Sequence, residues 1–172
     1  MLKTTSKLLP LAAIALFNIG CATAPTNHAM AVVTPTAGNN AAGVVDFTQT
    51  DDGVHITAEI SGLTPGDHGF HIHEWGDISK PNGKAEGGHL NLNHTPHGAR
   101  DAKVRHTGDL GNITADARGV ARYDWTDPDL NLALIIGRGV IVHAKPDDYG
   151  QPTGNAGARV AQGVVGVAKE EE

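Results

Sequence analysis

Short runs of alternating or β-branched residues recur along most of this chain, and glycine, proline, asparagine and aspartate separate them. Alternate side chains of a strand point to opposite faces of a sheet, so each run predicts a β-strand. No long segment after Cys21 repeats its apolar residues with the period of an α-helix. We therefore predict an all-β fold, an antiparallel barrel or sandwich without helices. The predicted strands are Ala31–Thr34, Gly43–Thr48, Val54–Ile60, Gly69–Glu74, Asn112–Ala115, Val120–Trp125, Gly139–Ala144 and Val160–Val167.

One long segment, residues 75–108, interrupts this pattern and contains no convincing strand. A loop of this length in a small domain is usually either functional or disordered. Its composition favours function, because it is rich in histidine. These histidines are His89, His94, His97 and His106.

Length and composition narrow the possible function. A chain of 172 residues is long enough for one ordinary domain and too short for two. A net charge of −6 argues against nucleic-acid binding, which usually needs a basic face. Cys21 is the only cysteine, so neither an intrachain disulfide nor a cysteine-rich zinc site can form. Any metal must therefore be bound through nitrogen and oxygen.

The first 20 residues have the pattern of an export signal. Lys3 and Lys7 flank a polar start, and the apolar run that follows is too short to span a bilayer. Gly20-Cys21 resembles the end of a bacterial lipoprotein signal, although Asn18 stands where that motif prefers Leu, Val or Ile. Ordinary cleavage at small residues nearby is the alternative. We expect an exported, periplasmic protein, anchored to a membrane through a lipidated Cys21.

These features divide the chain into four parts. The predicted order is an export signal (1–20), a tether (21–30), a single domain (31–169) and an acidic tail (170–172).

Two histidines alternate in the predicted strand at 69–74, which places His71 and His73 on one face while Phe70 and Ile72 can enter the core. Two neighbouring imidazoles form half of a metal site, but such a pair is as typical of ordinary polar surface. His143 ends another apolar strand, where it is either a third ligand or a hydrogen-bonded structural residue.

The long loop and the residue just after it offer a second set of ligands. Three imidazoles and one carboxylate suit tetrahedral zinc and fill all four of its positions, which is typical of a structural site. The alternative is a polar loop with scattered histidines. The four residues are His89, His97, His106 and Asp109.

Six segments of the chain resemble copper–zinc superoxide dismutases, in the order in which that family has them. The resemblance covers nearly all of the chain after residue 30. It implies an eight-stranded Greek-key barrel that converts superoxide into oxygen and hydrogen peroxide. The matching segments are 69–74 (GFHIHE), 88–91 (GHLN), 105–112 (RHTGDLGN), 135–138 (IIGR), 142–148 (VHAKPDD) and 153–159 (TGNAGAR).

The resemblance also implies one copper ion and one zinc ion per chain, with His97 bridging the two metals. It implies that Asp147 links a copper ligand to a zinc ligand, that His68 is a structural histidine, and that Arg159 attracts and holds superoxide. The implied copper ligands are His71, His73, His97 and His143, and the implied zinc ligands are His89, His97, His106 and Asp109.

The chain departs from the family at the disulfide that usually pins the long loop. The two positions fall near Gly83 and at Gln162, and neither is a cysteine. The stretch between Asp148 and Thr153 is also short where many members have a longer charged loop. These departures put the rigidity of the loop in question.

Two other classes of function stay open. A non-enzymatic copper- or zinc-binding or copper-delivery protein on the same fold predicts a missing copper ligand or a missing arginine, and a structural immunoglobulin-like domain predicts no metal cluster. Because the ligands and Arg159 are all present, the sequence favours the enzyme.

Overall fold

The computed structural model describes residues 26–169, which form a closed antiparallel β-barrel. Its strands are β1 (His28–Pro35), β2 (Ala42–Thr50), β3 (Gly53–Ser61), β4 (Gly66–His73), β5 (Asp109–Ala115), β6 (Ala121–Asp127), β7 (Gly139–His143), β8 (Arg159–Val164) and the short β9 (Gly166–Val167). Around the barrel the order is β2-β3-β6-β5-β4-β7-β8-β1, and β1 pairs with β2 to close it, while β9 adds to β1. The predicted eight-stranded antiparallel fold is confirmed.

Each predicted strand overlaps one of β1–β8, with differences at the ends. β1 begins at His28, so residues 28–30, which were expected in the tether, pair with β2. The predicted strand Val160–Val167 is interrupted at Val165, which separates β8 from β9.

The expectation of a fold without helices is wrong at one place. Residues Leu132–Ile135 form a short α-helix, α1, that begins after Asn131. The Asn131 side chain accepts a hydrogen bond from the Ala133 backbone at 2.9 Å, which is a typical helix cap. A four-residue helix is too short to show a helical period, so the pattern gave no sign of it. Among the described residues, no helix is long and apolar enough to span a membrane.

The apolar core fills the inside of the barrel. In β3, Val54, Ile56, Ala58 and Ile60 are buried, and the residues between them are half-buried or exposed. Phe70 of β4 is fully buried and packs edge-on against a ring of β6, Tyr123, with 5.2 Å between the ring centres. Burial of one Val, Leu, Ile or Phe side chain contributes roughly 1.5–3 kcal/mol.

β4 and β7 differ from the other strands because both of their faces are covered. All five residues of β7 are buried, as are the last six of β4. Phe70 and Ile72 belong to the core, so His71 and His73 point to the opposite, outer face. This outer face is where the metal-binding residues collect.

The segment between β4 and β5 covers that face and contains no strand, as predicted. Its middle lies antiparallel to the end of β4, with His73 opposite His89 in an isolated bridge. The Leu90 amide donates to the Ile72 carbonyl at 2.8 Å, and the Gly108 amide donates to the Leu90 carbonyl at 2.8 Å. Backbone hydrogen bonds therefore hold the middle and the end of the loop against the barrel without a disulfide.

Candidate metal centre

Strand alternation brings the first histidines together. His71 and His73 project from β4, and His143 ends the neighbouring strand β7. All three rings are buried, with 0%, 1% and 6% of their surface exposed. The bridge to β4 adds His89, whose ring stacks on that of His71 with 3.9 Å between centres.

These four histidines form the first group, in which one nitrogen of each ring lies within 4.8 Å of the others. Three of them leave one buried nitrogen without a hydrogen-bond partner: His71 Nδ1, His73 Nε2 and His143 Nε2. The opposite nitrogens are engaged. His73 Nδ1 lies 3.1 Å from the Gly87 carbonyl, and His143 Nδ1 lies 3.4 Å from the Gly157 carbonyl. Each ring thus donates a proton on one side and has a free lone pair on the other, which is the form that binds a metal.

Burial favours the same neutral form. It lowers the pKa of His71 to about 4 and the pKa of His143 to about 3, and it holds the pKa of His73 well below its usual value. For His71, the bond with Asp147 opposes this shift without cancelling it. Neutral imidazole is the form that coordinates copper and zinc.

The second group comprises His89, His97, His106 and Asp109, and its ligand atoms also lie within 4.8 Å of one another. Asp109 is fully buried at the start of β5. Its Oδ1 lies 2.9 Å from His89 Nδ1 and 3.3 Å from His106 Nδ1, and its Oδ2 lies 2.9 Å from His97 Nδ1. The backbone amides of Gly98 and His106 donate to Oδ2 at 3.0 and 2.8 Å, which fixes the carboxylate in place.

The carboxylate of Asp109 is ionised in this setting. Burial alone would raise its pKa, but hydrogen bonds from His89, His97 and the two backbone amides lower it far below the usual range. Three imidazoles and a charged carboxylate match the donor set of a closed zinc site. The structure brings the four residues of the predicted zinc quartet together.

The prediction that His97 bridges the two metals is contradicted by this grouping. The shared residue is His89, and His97 does not belong to the first group. His97 Nε2 bonds Asp147 Oδ1 at 2.9 Å, and its unpartnered Nδ1 lies 2.9 Å from Asp109 Oδ2, which places it in the second group. His89 instead reaches the first group because it pairs with His73 at the edge of β4. The spacing of the two histidines in the sequence carries no signal of this difference.

Asp147 lies between the two groups and bonds one histidine on each side. Its Oδ2 accepts from His71 Nε2 at 2.8 Å and its Oδ1 accepts from His97 Nε2 at 2.9 Å, in a fully buried position. Burial would raise the pKa of Asp147, but these two bonds lower it well below the usual range. Gly154 makes room for it, because a Cβ there would lie 1.8 Å from Asp147 Oδ1. Gly154 also has a φ of +73°, which favours glycine.

His68 has a structural position beside the first group. Its Nδ1 lies 2.7 Å from the His143 carbonyl, and its Nε2 lies 2.8 Å from the Thr64 carbonyl. The ring is 2% exposed and belongs to neither ligand group. It therefore ties the end of β7 to the turn before β4.

A cavity of about 600 Å³ opens onto the first group, and His73, His89 and His143 line it. Arg159, at the start of β8, lines the same cavity and is half-buried. Its guanidinium donates to the Gly83 carbonyl and, at 2.5 Å, to the Gly87 carbonyl. Lys84 lines the cavity as well, a residue that the sequence pattern did not single out. Two positively charged side chains, Arg159 and Lys84, therefore line the cavity that leads to the first group.

Known proteins place this arrangement in one family. The family model described as "Copper/zinc superoxide dismutase (SODC)" matches residues 41–165. The chain belongs to the copper/zinc superoxide dismutase family. A curated relative, Superoxide dismutase [Cu-Zn] 3 of Arabidopsis thaliana, is 43% identical over 156 residues, which cover 84% of this chain and 94% of the relative. A solved structure, that of the clock protein EA4, is similar with a TM-score of 0.77 and 40% identity, and the match covers 85% of this chain and 98% of the other.

Membership of the copper/zinc superoxide dismutase family explains the two groups. The family binds copper and zinc, and the chain supplies one cluster suited to each metal. The expected cofactors, copper and zinc, and the expected enzyme class, an oxidoreductase acting on superoxide, are confirmed.

Proposed function

We propose that this chain dismutates superoxide at the first group of histidines and that the second group binds zinc. The observation that carries the assignment is the set of buried, unpartnered nitrogens that converge in the first group. Four nitrogens suit Cu(II), and three imidazoles with one carboxylate suit structural zinc. The proposed copper ligands are His71, His73, His89 and His143, and the proposed zinc ligands are His89, His97, His106 and Asp109.

When bound, copper supplies the one-electron cycling that turns superoxide into oxygen and hydrogen peroxide, whereas zinc has no accessible redox change. The chain's own residues orient the ligands. The Gly87 and Gly157 carbonyls fix the ring nitrogens of His73 and His143 that face away from the group. Asp147 fixes His71 in the same way. Such outer contacts set the tautomer of each ring and so decide which nitrogen faces the metal.

Arg159 binds the substrate in this proposal. Superoxide is a small anion, and a guanidinium held at the cavity wall can attract and orient it. Two backbone carbonyls restrain the Arg159 side chain, so its position does not depend on the substrate. Lys84 adds a second positive charge at the same cavity, although the charged loop after Asp148 is short.

The test combines metal analysis of the purified protein with a superoxide-decay assay. His143 belongs only to the first group, so His143→Ala should abolish dismutase activity while zinc stays bound. The matched control is His55→Ala, because His55 lies on the exposed side of β3 beside Asp124. Full activity in His143→Ala with its metals quantified would overturn the assignment. A copper-delivery protein would bind copper without accelerating superoxide decay.

We further propose that the protein is of bacterial origin, exported to the periplasm and anchored through a lipidated Cys21. The support is the basic start, the short apolar run and Gly20-Cys21. These residues lie outside the described range 26–169. Cys21→Ser should release soluble protein of normal specific activity. Mass spectrometry that finds an unmodified N-terminus beyond Cys21 would rule the anchor out.

A further inference from the structure

Arg159 is placed by one short turn of the long loop. The two carbonyls that accept its hydrogen bonds belong to Gly83 and Gly87. Between them lies a single turn of 3₁₀ helix, Lys84–Glu86. Whatever holds this turn against the barrel therefore also sets the position of the guanidinium.

The Glu86 side chain holds this turn against the barrel wall. Glu86 is the one buried residue of the turn, with none of its surface exposed. It lies against Gly139 at the start of β7, where a Cβ would come within 2.2 Å of Glu86 Oε2 and 2.6 Å of its carboxyl carbon. Only glycine at 139 leaves room for this side chain. The Glu86 carbonyl also accepts from the Trp75 amide at 3.0 Å, which ties the turn to the strand-like start of the loop.

This region is the one in which the family usually has a disulfide. Gly83 lies near one of the two positions, and Gln162 occupies the other. Gln162 pairs with Ile141 across β7 and β8, two residues along from Gly139. Gln162 and Gly139 therefore share the outer face of the sheet. In place of a crosslink, this chain buries a carboxyl and an amide between the loop and the sheet.

Burial of the Glu86 carboxyl favours its protonated form. Within residues 26–169, neither oxygen of Glu86 has a hydrogen-bond partner, and Gln162 Oε1 has none either. A buried, unpaired carboxylate is costly, whereas a protonated carboxyl brings no charge into the interior. Burial is the main cause that raises the pKa of Glu86 to about 8, with Arg159 opposing the shift and Asp77 adding to it.

We propose that Glu86 is a positioning residue for Arg159, because its buried side chain anchors the turn that carries both carbonyl acceptors of the guanidinium. The inference rests on the role proposed above for Arg159 in binding superoxide. It also predicts a pH dependence. Between the ordinary value of 4.5 and about 8 the folded protein retains a proton that the unfolded chain has lost, so the presence of Glu86 lowers stability as pH rises through that window.

The experiment compares Glu86→Gln, Glu86→Ala and Arg159→Ala in metal-loaded protein with copper and zinc quantified. Glu86→Gln keeps the shape and fixes the uncharged form, so the ratio of activity at pH 9 to activity at pH 7 should rise above that of the wild type. Its melting temperature should exceed the wild-type value at pH 9 and approach it at pH 5. Glu86→Ala should lose activity several-fold and be inhibited several-fold less by inorganic phosphate, an anion that pairs with guanidinium groups.

Glu59→Gln is the matched control, because Glu59 is an exposed carboxylate of β3 that pairs with Arg122, and it should behave like the wild type. Wild-type activity and phosphate inhibition in fully metallated Glu86→Ala would overturn the inference. The same pH dependence of melting in wild type and Glu86→Gln would also overturn it, even if Glu86→Ala does not fold. Wild-type activity in Arg159→Ala would instead overturn the role of Arg159.

Discussion

The two metal-binding groups are built on different parts of the fold. In the first group, His71, His73 and His143 project from adjacent strands of a closed barrel. In the second group, His97 and His106 come from the long loop, and only Asp109 belongs to a strand. The barrel therefore positions the strand histidines of the first group. The long loop positions His97 and His106 of the second group, and these residues in turn help to order the loop.

The orienting contacts show the same difference. Rings of the first group are fixed from outside it, by the Gly87 and Gly157 carbonyls and by Asp147. Rings of the second group turn toward a carboxylate inside the group, Asp109. We expect the copper side to keep its geometry without metal, whereas the zinc side should depend on its ion.

The largest expected effect separates His89 from His97. Because His89 is the residue that both groups share, His89→Ala should lose dismutase activity and weaken the binding of both metals. His97→Ala should lose zinc first and keep copper, since His97 belongs only to the second group. Elemental analysis and superoxide decay measure both effects. Loss of copper from His97→Ala, with copper retained in His89→Ala, would restore the original bridge assignment.

Removal of the zinc-side carboxylate should loosen the loop. In Asp109→Ala, zinc binding should fall, cleavage within residues 75–108 should increase, and the melting temperature should drop, because metal bound only to the folded state stabilises it. The barrel core should stay folded, since its apolar residues lie elsewhere. Limited proteolysis with and without a zinc chelator measures this, and Asp101→Ala, an exposed carboxylate of the same loop, is the control.

Two further outcomes sharpen the test of Asp109. Reductant should change nothing, because Cys21 is the only cysteine. Hydrogen bonds lower the pKa of Asp109 below its ordinary 3.8, so its stabilising contribution is present above about pH 4 and is lost as the pH falls further. An unchanged cleavage pattern after confirmed zinc removal would mean that packing alone orders the loop.

A smaller effect is expected where the two groups meet. Asp147 accepts from His71 and His97, one ring on each oxygen. An amide has only one accepting oxygen, so Asp147→Asn should weaken the binding of both metals by about 10- to 100-fold. Competition with chelators measures the affinities. The control is Asp148→Asn, which changes the neighbouring exposed carboxylate. Equal metal affinities in the two variants would mean that Asp147 does not support metal binding.

The smallest expected effect concerns contacts of the loop with the barrel that involve no metal. The Arg100 guanidinium lies 5.3 Å from the ring centres of both Tyr123 and Trp125 on β6. Because each such contact contributes roughly 0.5–1 kcal/mol at an exposed site, Arg100→Leu should lower the free energy of unfolding by about 1 kcal/mol. Denaturant titration measures the change, and Lys103→Met, an exposed cation of the same loop, should have no effect. An equal loss of unfolding free energy in the two variants would mean that the removed charge, and not the contact with the aromatic rings, causes the effect.

The strand side of the centre was predictable from sequence because alternation is a local rule. The positions of His71 and His73 on one face follow from the two-residue period of β4 and nothing else. The membership of the zinc quartet also followed, since the resemblance matched residues one by one. The barrel itself was predictable from the spacing of its strands.

The shared histidine was not predictable, because it depends on how a loop without periodicity folds back. His89 and His97 are both buried loop histidines, and only the bridge between His73 and His89 distinguishes them. Glu86 escaped notice for a related reason. A glutamate in a polar loop is usually exposed. Glu86 is buried because Gly139, which is far away in the sequence, leaves space for its side chain.

The position of Asp147 between the groups has a thermodynamic consequence. One carboxylate restrains His71 on one side and His97 on the other, so an ion bound in either group alters the constraint on the other. Linkage requires this influence to be mutual. Whatever factor zinc contributes to the affinity for copper, copper must contribute to the affinity for zinc. Under the proposed assignment, the order in which the metals arrive cannot change the total free energy of loading.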